Sequence, residues 1–95
     1  QLPAPVRLNQ NVPNPFNPTT LISYELDHAG TVQVSIHDVG GKLVRTLVDD
    51  FQESGSHATM WDGTDDRGAS SPSGIYLYTL QTEAGRISKR MMLVR

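Results

Sequence analysis

The sequence predicts an all-β fold of two antiparallel sheets packed face to face, and three observations predict it. Apolar and polar residues alternate with a period of two along several short stretches. Turn-forming Gly, Asp, Asn and Ser residues separate those stretches at roughly eight- to twelve-residue intervals, the spacing of a sandwich. No segment carries apolar residues at helical spacing for long enough to build a helix.

Composition sets the limits. At 95 residues the chain has room for one hydrophobic core, so one domain is expected. Apolar residues make up 37% and aromatic residues 6%, and they are clustered, which gives a thin core. A formal net charge of −2 is too small for a polyanion-binding surface, so nucleic acid is not expected as a partner. Without cysteine there is neither a disulfide nor a thiolate zinc site, and sheet packing must supply the stability. Nothing approaches the roughly 18 apolar residues of a membrane helix, and the start lacks a charged segment followed by an apolar one. Neither a membrane span nor an export signal at its own N-terminus is expected.

Taken in order, positions 1–18 hold five of the six prolines, which lack backbone donors and bias their neighbours toward extended conformations. We place 1–11 as linker and lead-in and 12–95 as the sandwich, with Val12 and Phe16 anchoring the lead-in to the core. From position 19 the alternation sets Ile22, Tyr24 and Leu26 against Leu21, Ser23 and Glu25, the first strand. After a turn at 27–30, Val32, Val34 and Ile36 alternate with Gln33, Ser35 and His37. Gly40-Gly41 then offers the positive φ angles of a tight hairpin. Over 42–49, Val44 and Leu47 stand three apart, which fits a short helix or a bulged strand; the Val and Thr content favours the strand. Following a turn at Ser54-Gly55, His57, Thr59 and Trp61 share a face. Positions 62–73 are dense in turn formers, and nothing regular is expected there. The strongest strand is 74–82, and a hairpin at 83–86 leads to the last, 87–94. These six segments describe an immunoglobulin-like or fibronectin III-like sandwich of about seven strands.

Each candidate for chemistry has a plainer structural reading beside it. Asp62, Thr64 and Asp66 begin a calcium-loop pattern, but the glycine comes one position late and Ser73 stands where a bidentate Glu belongs. Aspartates bonding their own turn fit the residues better. His37 and Asp38 are adjacent on a strand and point to opposite faces, so they cannot act as a dyad. His57 reads as a packed histidine at the core margin, and no catalytic residue, cofactor site or metal site is assigned. Trp61, Tyr76 and Tyr78 could form a sugar-stacking platform, but Tyr76, Tyr78 and Leu80 alternate onto one face as core residues do. The basic residues Lys89, Arg90 and Arg95 mark an edge strand that resists self-association yet can pair with a partner strand.

Five motifs in order carry a resemblance: QNVPNPFNPTT at 10–20, VGGKLV at 39–44, WDGTDDRG at 61–68, SGIYLY at 73–78 and KRMMLVR at 89–95. Together they resemble the C-terminal sorting domains of the type IX secretion system (type A), which are similar to the immunoglobulin-like domain of the flagellar hook-capping protein. The likeness covers about Leu8 to Arg95. The first glycine of the Gly-Gly pair stands where the family more often has a larger residue.

The resemblance implies a non-catalytic domain at the C-terminus of a secreted protein. It would direct its upstream cargo across the outer membrane to the exterior or cell surface, after passage through the periplasm. The expected partners are the secretion translocon and the cell-surface attachment machinery. Translocon recognition would fall on Lys89, Arg90, Met91, Met92, Leu93, Val94 and Arg95. Asn14, Pro15, Phe16, Asn17, Pro18, Trp61, Asp62, Gly63, Gly74 and Tyr76 would form the structural motif. A structural immunoglobulin-like assembly or spacer module is the alternative, and a carbohydrate-binding module of a secreted enzyme is a third reading.

Overall fold

A computed structural model describes residues 6–95 and contains seven strands. They are β1 (Val6–Leu8), β2 (Thr20–Leu26), β3 (Gly30–Asp38), β4 (Leu43–Gln52), β5 (Gly55–Trp61), β6 (Gly74–Thr82) and β7 (Gly85–Leu93). One sheet has the order β1-β2-β5 and the other β4-β3-β6-β7, with every pairing antiparallel. Among the described residues no helix is long and apolar enough to cross a membrane.

The period-two reading places the inner faces correctly. Ile22, Tyr24 and Leu26 of β2, Val32, Val34 and Ile36 of β3, and Tyr76, Tyr78 and Leu80 of β6 are all buried, together with Trp61. Two sheets of this kind are stable because each hides one apolar face against the other.

Three expectations need correction. The segment read as linker and lead-in already holds a strand, since β1 pairs with the end of β2 through Val6↔Leu26 and Leu8↔Tyr24, with Val6 and Leu8 buried; its first five residues lie outside the described ones. Val12 is not a core anchor. It exchanges both backbone bonds with Leu21, and directly opposed residues share a face, so Val12 follows the outward Leu21 and is 67% exposed. The glycine pair supplies one positive φ, at Gly41 (88°), and the turn is further held by Asp38 Oδ1, which accepts from the N–H groups of Gly40 and Lys42.

The odd spacing of Val44 and Leu47 also has its cause. The β3–β4 register shifts twice, leaving Leu47 unpaired between Thr46 and Val48, and Val44 unpaired between Leu43 and Arg45. Each is the extra residue of a bulge, which lets both turn toward the core although three positions separate them.

Candidate recognition surface at the last strand

The prolines of the lead-in prevent it from laddering as a regular strand, so it is fastened piecemeal. Phe16 lies alongside β7: its N–H donates to the Met92 carbonyl (3.0 Å) and its carbonyl accepts from the Val94 N–H (2.9 Å). Asn14 Oδ1 accepts from the Met92 N–H (3.0 Å), and Gln10 Nε2 donates to the Arg90 carbonyl (2.8 Å). The expectation of an edge able to take a partner strand is thereby corrected over this stretch. From the Arg90 carbonyl to the Val94 amide, the outer edge of β7 already has partners.

Two features hold this clasp in place. The Phe16 ring packs on Trp61 (centroids 5.6 Å apart), which meets Tyr76 edge-on at 5.2 Å. Behind it sits a buried polar knot. Tyr78 Oη accepts from the Asn11 N–H and donates to the Asn9 carbonyl, while Asn11 Nδ2 donates to Thr20 Oγ1 and the Pro13 carbonyl. Among the described residues every buried side-chain polar atom has a partner, as burial requires. Burial raises the Tyr78 and Tyr24 hydroxyls above the usual phenol range; at Tyr24 the bond to Gln52 opposes this and Asp50 adds to it.

The 62–73 loop is built by its own side chains. Trp61 Nε1 donates to the Thr64 carbonyl, and Asp62 Oδ1 accepts from the Thr64 N–H and hydroxyl. That hydroxyl is the main reason the Asp62 carboxyl titrates below the usual carboxylate range. Asp65 Oδ1 accepts from the N–H groups of Arg67 and Ala69, and Asp66 Oδ1 from that of Thr46. The aspartates thus serve the turn and the edge of β4, and do not converge on one point. Gly63 is buried with φ of 79°; a Cβ there would lie 3.2 Å from the Pro18 carbonyl and 2.7 Å from the Arg95 guanidinium.

The predicted recognition residues separate by face. Arg90, Met92 and Val94 point outward, with Met92 and Val94 40% and 44% exposed, whereas Met91 and Leu93 are core. Lys89 is half-buried. Arg95 does not hang free: its N–H donates to Ser73 Oγ, its Nε to the Ser71 carbonyl (2.6 Å) and its Nη2 to the Gly63 carbonyl (2.7 Å). Asn14, Pro15, Ile75, Arg90 and Met92 line one shallow groove, so the lead-in motif and the last strand meet on the surface. Asn17 and Pro18 are exposed, Gly74 pairs with Leu93 at the start of β6, and Tyr76 Oη donates to the Pro72 carbonyl.

Other candidates resolve into structure. Trp61 and Tyr78 are fully buried, which removes the sugar-stacking platform. His57 stacks on Tyr24 and its Nε2 lies 2.7 Å from the Glu53 carbonyl, at the core margin as expected. Gln10 and Asn11 open the first motif but carry no site role in the sequence reading, and Arg45, which donates to Thr64 Oγ1 and the Asp65 carbonyl, is absent from it. An asparagine in a proline-rich stretch, too short to be a strand, was the available signal for Asn11.

Strand order, the buried tryptophan between the sheets and the turn-rich loop together define an immunoglobulin-like β-sandwich module. The chain belongs to the FlgD Ig-like domain family, whose model matches residues 11–86. That match leaves out β1 and most of β7. Similar solved structures cover more. Latent dimeric PorU from Porphyromonas gingivalis is 22% identical with a TM-score of 0.73, over 94% of this chain and 9% of that one. PorZ from the same organism, described as an essential bacterial surface component of the type IX secretion system, is 22% identical with a TM-score of 0.64, over 90% of this chain and 11% of that one. FlgD from P. aeruginosa is 24% identical with a TM-score of 0.63, over 93% and 70%. At these identities the likeness is one of fold, and this chain spans about a tenth of the PorU and PorZ chains. No curated protein sequence matches it significantly.

Proposed function

We propose that this chain is a non-catalytic sorting and anchoring domain, which directs an upstream cargo across the outer membrane through the type IX secretion system to the exterior or the cell surface. One observation carries the reading: Asn14-Pro15 and the outward residues of β7, 75 or more positions away, form a single surface. Met92 pairs with Ile75, and Arg90 with Leu77, which makes the face apolar with one cation at its side. Such a face suits a partner that offers an apolar surface and an acidic group. The fold shared with PorZ agrees with a secretion setting.

The test is a reporter fused to the intact chain in a host with this secretion system. Deleting 89–95 would not separate recognition from folding, because it removes the core residues Met91 and Leu93. Arg90→Glu with Met92→Glu is the cleaner variant: the fold should persist and export should fall at least tenfold. Undiminished export with an intact fold would refute the reading.

Membership of the FlgD Ig-like family favours a second reading, a structural assembly or spacer module. On that reading the double variant leaves export unchanged and alters assembly of the parent protein.

A further inference from the structure

Two open sheets have four edges, and among the described residues three of these are protected along part or all of their length. The edge of β7 is clasped by Asn14 and Phe16. β4 carries two bulges and Asp49 and Asp50, and Asp66 occupies its Val44 carbonyl and Thr46 N–H. β1 has three residues among the described ones. Short strands, bulges, charges and covering segments are the means by which proteins prevent strand addition. Among the described residues β5 has none of them: its seven residues, GSHATMW, include no charged side chain and no proline, and it ends its sheet.

The groups that β5 offers follow from the ladder. Leu21 directs its N–H and carbonyl to Val12, and the Ser23 carbonyl accepts from Asn9, so the odd residues of β2 bond away from β5. The even residues Thr20 to Leu26 therefore bond to Trp61, Thr59, His57 and Gly55. Ser56, Ala58 and Met60 are left with their N–H and carbonyl groups directed off the sheet.

A second observation concerns side chains. Val12, Leu21 and Met60 stand side by side across the outer face, 67%, 42% and 61% exposed, and this apolar row ends on the open edge.

We propose that β5 is a self-association edge, which pairs antiparallel with β5 of a second copy about a two-fold axis at Thr59. That axis sets Met60 of each copy opposite Ala58 of the other, so the apolar row of Val12, Leu21 and Met60 ends against that alanine. A second copy is the fitting occupant because a two-fold contact brings a surface against itself. An uncharged strand does this without opposing like charges, which neither β4 nor the basic β7 could avoid. One strand edge buries far less than a permanent interface, so the dimer is weak and forms with rising concentration.

Sedimentation equilibrium on the whole chain, from about 10 μM to about 1 mM, tests this. A monomer–dimer equilibrium is expected. Met60→Lys, which adds like charge to the contact, and Ala58→Pro, which removes one outward donor, should each raise the dissociation constant at least tenfold while the melting temperature of Met60→Lys holds. Phe51→Lys, on β4 and 61% exposed in the native chain, should leave it unchanged. A chain that stays monomeric throughout, a dimer indifferent to both β5 substitutions, or one lost with Phe51→Lys would overturn the proposal.

Discussion

The outer edges of β7 and β5 have the same backbone chemistry and opposite surroundings. Along β7 the outward groups from Arg90 to Val94 bond to a segment more than 70 residues earlier in the chain, and Phe16 fixes that segment in the core. Along β5 the outward groups of Ser56, Ala58 and Met60 have no such cover among the described residues. What makes an edge safe is therefore not its own residues alone. The basic residues of β7 discourage pairing with a second copy, and the clasp also occupies the backbone groups from Arg90 to Val94.

Substitutions can break this contrast. The largest effect is expected for Phe16→Ala, which empties a site against Trp61 and releases the clasp together; a loss of about 3–5 kcal/mol by denaturant unfolding is expected. A loss under about 0.5 kcal/mol, normal for a surface position, would mean the clasp is ornamental. Its counterpart on the bare edge, Met60→Lys, should stay within that surface range. Asn11→Ala comes second, at about 1–3 kcal/mol, because it strips the buried Thr20 hydroxyl of a partner. Asn14→Ala should cost about 1 kcal/mol and should speed amide exchange at Met92 more than at any residue of β5.

The smallest effect at neutral pH is the alkaline one. Tyr24 and Tyr78 have raised folded-state values, so the stability they contribute is intact below about pH 10, the unfolded phenol value, and is lost as pH rises through the folded values. Unfolding followed by fluorescence should show a flat response up to that point and a decline above it. For Tyr78→Phe the decline should be shallower.

Much of the fold was legible because strands state their faces locally. Val32, Val34 and Ile36, or Tyr76, Tyr78 and Leu80, announce a buried side by alternation alone. β1 was not legible, since three residues between prolines hold too little of a period to read. Val12 was misread for a related reason: its facing is dictated by its partner Leu21, a pairing that no local pattern reveals. The candidate surface was legible in its parts and not in its assembly. The Asn-Pro motif and the last strand both stood out, but the bond from Met92 to Asn14 joins positions 78 apart, and distance along a chain says little about which edge a lead-in will cover. Arg95 shows the same limit. As a residue type it reads as a free cation, and only the carbonyls of Gly63 and Ser71, turned toward it by the loop, make it a fastener.

The contrast between the two edges can be tested in a single native-state hydrogen-exchange experiment on the dilute chain. The amides of Met92 and Val94 should be protected to nearly the global unfolding free energy, while those of Ser56, Ala58 and Met60 exchange orders of magnitude faster. Equal protection on both strands, or fast exchange at Met92 and Val94, would contradict the clasp on which the proposed recognition face is built.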